Sequence, residues 1–224
     1  MVTHFEGAPV SGLRQYAMNQ VRDEIIDAAG LEFGRNGYAG TSFSGIAAVM
    51  GKPKSVIGYH LFPSKRSLAH AVIAEQDERW QAADATIGVP YGALRWVTMI
   101  LASAREAQRS PIAMGAIRLL HELPRMDDPV YTVFDWRAYT RTNLRMEAAA
   151  HDLDLPDLDG VSDVLLDACF GLVTTTVGDD DAAELRDRLI TLIRPILATV
   201  DPAGAAATTA AAASHELVSG PAEH

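Results

Sequence analysis

The basic side chains between residues 33 and 74 have no acidic neighbours in the sequence, since this stretch contains no Asp or Glu. Its Lys and Arg residues are Arg35, Lys52, Lys54, Lys65 and Arg66. The whole chain carries a formal net charge of -10, so the stretch is a basic island in an acidic protein. Ammonium and guanidinium groups gathered on one surface attract phosphate groups, and the island therefore predicts a surface that binds a polyanion.

The elements that must position this island predict a helix-turn-helix. Thr41 and Ser42 are suited to cap a short helix, because their hydroxyl oxygens accept bonds from the free amides of a first turn. Apolar residues then recur at helical spacing, at Phe43, Ile46, Ala47 and Met50. Gly51 and Pro53 favour a turn, after which we expect residues 54–60 to form a second short helix. In such a corner the second helix enters the major groove of DNA.

We expect this corner to make two kinds of contact with DNA. Phosphate contacts are assigned to Thr41, Ser42, Lys52, Lys54, Tyr59 and Lys65. Base contacts are assigned to Lys54, Ser55 or His60, because these residues lie on the predicted second helix. A random charge bias on a solvated surface is the competing interpretation. It explains an acidic body, but it does not explain an island without a single acid.

Composition limits the class of protein. A chain of 224 residues with 48% hydrophobic residues can bury one or two modest cores. No apolar run approaches the roughly 18 residues of a membrane span, and the first residues lack the apolar region of a signal peptide. The single Cys169 excludes an intramolecular disulfide and suits a reducing compartment. We therefore expect a cytoplasmic protein.

Valine and isoleucine recur every three to four residues, which predicts an all-α fold. Ser64 and Ser110 are predicted helix caps, and the helix that starts at Ser64 is expected to connect two domains. The predicted units are a flexible arm (1–12), a three-helix DNA-binding head (13–63), a helical ligand-binding and dimerisation body (64–200) and a disordered Ala-rich tail (201–224). Residues 1–66 hold seven Lys and Arg against five Asp and Glu, whereas the remainder holds 12 against 24. This asymmetry fits a head that contacts DNA and a body that does not.

Two helices predicted at residues 161–177 and 182–200 are too apolar for the surface of a monomer. Their apolar residues are Leu165, Leu166, Ala168, Cys169, Leu172 and Val173 in the first helix and Leu185, Leu189, Leu192, Ile193, Ile196 and Leu197 in the second. One face can pack on the body and the other on a second copy of the chain. We therefore expect a homodimer formed through these two helices.

Nothing in the body predicts catalysis, a metal ion or a cofactor. The chain has neither a nucleophile elbow nor a Gly-rich phosphate loop. His121-Glu122 lacks the second His of a zinc-binding helix, and the alternating Asp residues of 152–159 lack the spacing of a calcium loop. Cys169 lies in an apolar segment and is expected to be an inert core residue.

A pocket for a small apolar ligand is the better interpretation of the body. Helical bundles build such pockets from apolar walls and a few polar groups that orient the ligand. The candidate wall residues are Trp96, Met99, Met114 and Trp136. The candidate orienting residues are Gln76, Arg118 and Thr174. For any single aromatic residue, plain core packing is the alternative.

The head resembles the DNA-binding domain of the tetracycline-repressor (TetR) family over about residues 20–80. The positions that agree in order are Ile25, Ile26, Asp27, Ala28, Ala29, Phe33, Gly37, Tyr38, Thr41, Ser42, Ile46, Ala47, Gly51, Tyr59, His60, Phe62, Pro63, Ser64, Lys65 and Leu68. The chain departs from the family in being one residue longer between Gly51 and Lys65, and in having Gly58 where a bulky residue is common. The resemblance implies a transcriptional regulator that binds DNA as a homodimer.

The body resembles the γ-butyrolactone autoregulator receptors, a TetR subfamily that controls antibiotic production, in two short strings at residues 69–76 and 134–137. In that subfamily the matching Gln and Trp line the signal pocket, so the resemblance implies that Gln76 and Trp136 line it here. The subfamily usually has Thr after the glycine that matches Gly171. This chain has Leu172, which removes a hydroxyl group.

Together these features predict a repressor that binds a palindromic operator and is released by a small apolar signal of the γ-butyrolactone, furan or butenolide type. The alternative is a receptor-like repressor that does not respond to such ligands. A small-molecule-binding protein without a DNA function is a third hypothesis, and salt-dependent DNA binding would exclude it.

Overall fold

The computed structural model describes residues 10–57, 61–126, 130–176 and 182–215, and the fold within these ranges is all-α, as predicted. The described α-helices are α1 (Val10–Gly40), α2 (Phe43–Val49), α3 (Lys65–Thr86), α4 (Ala93–Ala107), α5 (Pro111–Glu122), α6 (Trp136–Ala150), α7 (Leu158–Thr176), α8 (Ala182–Val200) and α9 (Ala205–Ser214). Two short 3₁₀ helices occupy Lys54–Val56 and Leu123–Met126. No helix of the described residues has the length and hydropathy needed to cross a membrane.

Serine residues start three of these helices. The hydroxyl of Ser42 accepts from the amide of Gly45 at the start of α2. Ser64 and Ser67 form a reciprocal capping box at the start of α3. Ser110 caps α5, which has Pro at its first position, where the missing amide hydrogen is not needed. The caps predicted at Ser64 and Ser110 are therefore confirmed.

Two hydrophobic cores are joined by α3 and α5. The head core is built from α1, α2, the first half of α3 and one face of α5, with the buried residues Phe33, Ile46, Leu68, Val72, Ile112 and Leu119. The body core takes the second half of α3, the other face of α5 and helices α4 and α6 to α9, with Trp80, Trp96, Ile117, Trp136, Leu165 and Leu189. Because α3 and α5 bury side chains in both cores, a movement in one core must be transmitted to the other.

The first helix is longer than predicted. It starts at Val10, so residues 10–12 are helical rather than part of an arm, and residues 1–9 lie outside the described residues. It ends at Gly40 after a break at Gly37, where φ is 70° and ψ is 177°. Glycine lacks the Cβ that penalises a positive φ, so the backbone turns here without strain.

The helix predicted from Val130 begins instead at Trp136. The carboxylate of Asp135 accepts from the amides of Arg137 and Ala138, both at 3.0 Å, and so fixes the first turn of α6. The preceding amides of Val133 and Phe134 donate to Asp77 of α3 at 2.9 and 2.8 Å. A carboxylate on a distant helix therefore holds this segment in a non-helical path.

The tail that was predicted to be disordered is helical over α9. Ala205, Thr209 and Ala212 are buried, and this helix packs on α4 and α8. Alanine has the highest helix propensity of all residues, so an Ala-rich segment with an apolar surface to cover folds readily. The end of the tail, residues 216–224, lies outside the described residues.

Helices α6 and α7 are antiparallel and joined by a ladder of ion pairs with three rungs, and Arg137 also lies 3.6 Å from Asp163, between the first two rungs. Arg137 donates to Asp167 at 2.7 Å, and the Nε of Arg141 donates to Asp163 at 2.9 Å. Arg145 pairs with Asp159 in the third rung. The partners lie four residues apart on each helix, one turn after another. Asp159 lies in the first turn of α7, whereas the sequence suggested that it belongs to an acidic loop.

Candidate nucleic-acid interface and ligand core

The corner of the head presents its polar residues to solvent. After α2 the chain turns at Gly51, where φ is 61°, and enters the 3₁₀ helix Lys54–Val56. Lys54 and Ser55 are exposed, and the buried side chain of Ile57 anchors the segment to the head core. Ser42 is also exposed. Tyr59 and His60, two further predicted DNA contacts, lie outside the described residues.

Thr41 is buried, which contradicts its assignment as a phosphate contact. Thr41 is only 2% exposed, and its hydroxyl donates to the carbonyl of Gly37 at 2.8 Å. The backbone amide of Thr41 donates to the same carbonyl at 3.2 Å, at the end of α1. Thr41 therefore stabilises the break in α1 and has no surface to offer a phosphate.

Lys65 makes contacts that the sequence did not indicate. Its Nζ donates to the carbonyls of Tyr38 and Thr41 at 2.7 and 3.0 Å and lies 4.5 Å from the centroid of the Tyr38 ring. A cation at the C-terminal end of a helix satisfies its free carbonyls and favours its dipole. Lys65 thus fastens the start of α3 to the end of α1. Lys52, similarly, is paired with Glu24 of α1.

Gln76 lies in the interior between α3 and α4. It has no exposed surface, and its Nε2 donates to Glu106 at 2.9 Å. Its Oε1 has no hydrogen-bond partner among the described residues. A buried acceptor without a donor costs about 1–3 kcal/mol, so this atom is suited to a donor that a ligand supplies.

Trp136 is the centre of an aromatic cluster in the body core. Its ring centroid lies 5.0 Å from that of Phe134, 5.4 Å from Trp80 and 5.6 Å from Phe170. The Nε1 atoms of Trp136 and Trp80 and the hydroxyl of Thr98 are buried without partners in the described part of the chain. An apolar wall with a few unused polar atoms is the composition of a small-molecule site.

Thr98 was missed at the sequence level. It is 1% exposed and sits among apolar residues of α4. A lone threonine in the apolar run Trp96 to Leu101 is the signal that could have identified it, because a hydroxyl there must find a partner or remain unsatisfied.

Two of the predicted wall residues are buried in the body core. Trp96 and Met99 have no exposed surface. The Nε1 of Trp96 donates to Thr140 at 3.0 Å, so this indole is satisfied by the protein itself. The hydroxyl of Thr174 donates to the carbonyl of Gly171 in its own helix at 3.1 Å.

Arg118 and Met114 lie at the contact of α5 with α1, and this differs from their predicted place in a pocket. Arg118 Nη1 donates to the carbonyls of Gly34 and Arg35, both at 2.9 Å, and its Nε donates to Glu122 at 2.8 Å. Met114 packs so closely on Gly34 that a Cβ there would lie 2.5 Å from its Cε. The second oxygen of Glu122 accepts from the amide of Tyr38 at 2.6 Å. These residues join head to body at the break in α1.

An apolar stripe follows the outer face of α7. Val164 is 69% exposed and Val161 is 39% exposed. An open groove of about 640 Å³ between α7 and α8 continues the stripe, lined by Ala168, Gly171, Leu172, Thr175, Arg188, Thr191 and Leu192. Leu172, the residue that differs from the receptor subfamily, therefore lines this groove.

Buried titratable groups of the body are held in their neutral forms. Burial raises the pKa of the Cys169 thiol to about 12, so it is protonated at neutral pH, as expected of an inert core residue. Burial also raises the pKa of the Tyr139 hydroxyl, which lies beside Asp84 and Arg95. Neither group is poised for nucleophilic chemistry.

Residues 25–72 match the family model of bacterial regulatory proteins of the tetR family. The fold is similar to that of CprB, a TetR family protein from Streptomyces coelicolor solved in complex with its biological operator sequence. The two share 27% identity with a TM-score of 0.69, over 88% of this chain and 97% of that one. Among curated proteins, none matches the chain by sequence.

A structure reported for the control of antibiotic production by a bacterial hormone is 27% identical, with a TM-score of 0.60, over 80% of this chain and 96% of that one. A gamma-butyrolactone receptor described as ArpA-like shares the fold, with 24% identity and a TM-score of 0.69, over 88% of this chain and 96% of that one. Residues 25–72 thus match the tetR family of bacterial regulatory proteins, and the similarity of fold to CprB covers most of the chain.

Proposed function

We propose that the protein is a homodimeric transcriptional repressor that binds a palindromic operator and is released by a small apolar signal of the γ-butyrolactone, furan or butenolide type. The observation that carries the proposal is the matched helix-turn-helix, with Ser42, Lys54 and Ser55 on its exposed side. A repressor acts where bacterial DNA lies, so the same proposal assigns the chain to the cytoplasm.

Two heads of a dimer would enter successive major grooves, roughly 34 Å apart, so the operator should have twofold symmetry. Lys54, Ser55 and His60 are the candidates for base contacts. Ser42, Lys52, Tyr59 and Lys65 are the candidates for phosphate contacts, with Lys52 and Lys65 first giving up their present partners. The similarity to CprB, solved with its operator, supports this mode of binding.

The homodimer is proposed to form through α7 and α8. The exposed stripe of Val161 and Val164 and the groove continued by Leu172 and Leu192 are apolar surface that a second copy would cover. An apolar patch of this kind on a monomer marks an interface. A twofold contact would bring the same stripe of each protomer together.

The signal is proposed to bind at Gln76 and Trp136. A ligand with a ring oxygen or carbonyl would accept from the indole nitrogens, and a ligand hydroxyl would donate to Gln76 Oε1. Because α3 carries Gln76 and also packs in the head core, ligand binding can shift this helix and change the separation of the two heads. Release requires that the ligand bind the DNA-free form more tightly, since equal affinity shifts no equilibrium.

The test is a titration of fluorescent DNA from upstream of the protein's own gene, followed by addition of butyrolactones, furans and butenolides to the complex. We expect salt-dependent binding to a twofold-symmetric site and release by one ligand class. Failure to bind any such DNA would contradict the repressor assignment. Release that persists unchanged in Trp136→Ala would contradict the ligand site.

A repressor that does not respond to such ligands is the second candidate. The close packing of Trp136 against Trp80, Phe134 and Phe170 favours it, because a ligand must separate these rings to enter. The two candidates predict the same DNA binding. They differ in the ligand titration of the DNA complex, which would leave the DNA bound in the second case.

A further inference from the structure

We propose that Glu147, His151 and Asp201 form a binding site for a divalent transition-metal ion, with Zn²⁺ as the preferred ion, at the junction of α6 with the turn between α8 and α9. One donor atom from each residue lies within 4.8 Å of the other two. This site is remote in sequence from the helix-turn-helix and does not depend on the proposed repressor function.

The distances fit a shared cation better than direct hydrogen bonds. His151 Nε2 lies 3.4 Å from Glu147 Oε1 and 3.6 Å from Asp201 Oδ1. Good N–H···O hydrogen bonds are about 2.7–3.2 Å long, and a single ring nitrogen cannot donate well to two carboxylates. Two ligands of a tetrahedral zinc ion with bonds of about 2.0–2.2 Å are separated by about 3.3–3.6 Å.

The donor set and its support also fit a metal. One imidazole and two carboxylates, with water in the fourth position, are ligands that Zn²⁺ accepts. The remaining oxygen of Glu147 accepts from the amide of Ala93 at 2.7 Å, and Asp201 Oδ1 accepts from the amide of Gly204 at 2.7 Å. Such hydrogen bonds fix the orientation of ligand carboxylates before an ion arrives.

The site would join elements that are distant in sequence. Glu147 and His151 are one turn apart at the end of α6, whereas Asp201 is a buried residue that also starts the turn into α9. Asp201 is far from Glu147 and His151 in the sequence, so their spacing along the chain did not indicate that the three residues could bind a metal ion together. A bound ion would hold the Ala-rich α9 against the body. The side chain of His151 is 41% exposed, which leaves a path by which the ion can enter from solvent.

The experiment uses the full-length, untagged chain stripped with a chelator and titrated with ZnCl₂ by calorimetry. We expect one ion per chain, and a thermal midpoint that rises on adding zinc. In His151→Ala and in Asp201→Asn, the affinity for zinc should fall by at least about tenfold. The rise of the thermal midpoint on adding zinc should shrink or vanish in both variants. Asparagine keeps the acceptor for the Gly204 amide, so the turn into α9 is preserved. His121→Gln, a histidine of α5, is the matched control and should bind as the parent does.

Two further measurements separate a metal site from an ion pair. Cobalt in place of zinc should show the intense visible bands of a tetrahedral centre, absent in His151→Ala. Amide hydrogen exchange over residues 201–214 should slow when zinc is added. No zinc binding, or binding that is indifferent to both His151 and Asp201, would overturn the proposal and leave these residues as an electrostatic contact only.

Discussion

Gln76 is an unfavourable residue for a core that serves packing alone. An amide of this size needs partners for two donors and an acceptor. The described residues supply Glu106 to the Nε2 but nothing to the Oε1. A leucine would fill similar volume without an unmet acceptor. The cost of keeping glutamine here is therefore consistent with a role in binding.

Replacing Gln76 by leucine should separate stability from ligand binding. We expect the free energy of unfolding to change by about 1 kcal/mol or less, because removal of the unpaired acceptor offsets loss of the bond to Glu106. Affinity for an inducing ligand should fall by about tenfold or more, since the site loses its acceptor. Urea unfolding and ligand titration of the operator complex measure the two effects. A large loss of stability with unchanged induction would assign Gln76 to the core.

Lys54 and Lys65 should respond differently to removal of their charge. Lys54→Ala removes an exposed cation, so we expect weaker DNA binding, a salt slope reduced by about 1, and an unchanged thermal midpoint. Lys65→Ala leaves the carbonyls of Tyr38 and Thr41 without a donor and should destabilise the chain by about 1–2 kcal/mol. Salt-dependent anisotropy and thermal melts check both. A Lys65→Ala protein as stable as the parent would contradict the structural role of Lys65, and a flattened salt slope would then assign it to phosphate contact alone.

At the scale of elements, Asp77 links two segments that both carry candidate ligand residues. It follows Gln76 on α3, and its carboxylate binds the amides of Val133 and Phe134 just before α6 and Trp136. Any rotation of α3 must therefore move this segment or break these bonds. Asp77 thus adds a direct link between α3 and the segment that precedes the aromatic cluster.

Asp77→Ala should leave two amides without acceptors and destabilise the chain by about 2–3 kcal/mol. Asp77→Asn should cost less, because one oxygen remains to accept. Urea unfolding gives the difference, and hydrogen exchange at residues 133 and 134 should accelerate in both variants. Unaltered exchange at those two amides would show that other contacts hold the segment.

The ladder between α6 and α7 makes stability depend on pH. The hydrogen bond from Arg141 holds the pKa of Asp163 below its ordinary value of 3.8. A carboxyl whose folded pKa is lowered contributes stability above its unfolded pKa and loses it as the pH falls through the folded value. The contribution should thus be present above about pH 4 and be lost as the pH falls further.

Asp163→Asn should therefore have a lower thermal midpoint than the parent at neutral pH, and the two midpoints should converge in acid. Thermal melts from pH 7 down to about pH 3 measure this. Asp187→Asn, at an exposed position paired only with its neighbour Arg186, is the control and should follow the parent at every pH. Parallel curves for Asp163→Asn and the parent would contradict the role of the ladder.

Local signals predicted some elements and missed others for identifiable reasons. Ser64, Ser110 and the apolar spacing are local, and the helices that depend on them were predicted. The start of α6 was missed because it depends on Asp77, which lies 56 residues from Val133. The true positions of Lys65 and Arg118 depend on carbonyls of α1 that lie 27 and 84 residues away in sequence. In α9, low complexity was taken for disorder although alanine favours helix.

The candidate ligand core was predicted only in part, and this has the same cause. Gln76 and Trp136 were candidates among several because of their residue types, and it was the resemblance to a family that singled them out. Burial of their polar atoms without partners is a tertiary property, as is the displacement of Arg118 and Met114 to the joint between head and body. Patterns along the chain identify which residues are apolar or charged. They do not identify which distant group each one meets.

At the scale of the whole molecule, Val164→Glu should dissociate the proposed dimer without unfolding the chain. The side chain is exposed in the monomer, but in a twofold interface two unpaired carboxylates would be buried, which costs about 3–5 kcal/mol. We expect sedimentation equilibrium to give a monomer and DNA affinity to fall. Met146→Glu changes an exposed apolar residue of α6 in the same way and should remain dimeric. Dimeric Val164→Glu would place the interface elsewhere.

Because α5 takes part in the head core, the head of this chain cannot simply be cut out and fused to another protein. Ile112 and Leu119 complete the interior of the first three helices, although they come from the middle of the chain. A fragment that stops after residue 63 would lack this surface and that of α3. Transplanting the DNA-reading part onto another sensor therefore requires a recipient whose own fifth helix offers a matching apolar face and an arginine at the position of Arg118. Modularity in this architecture is a property of complementary surfaces, and cutting the chain at a linker does not achieve it.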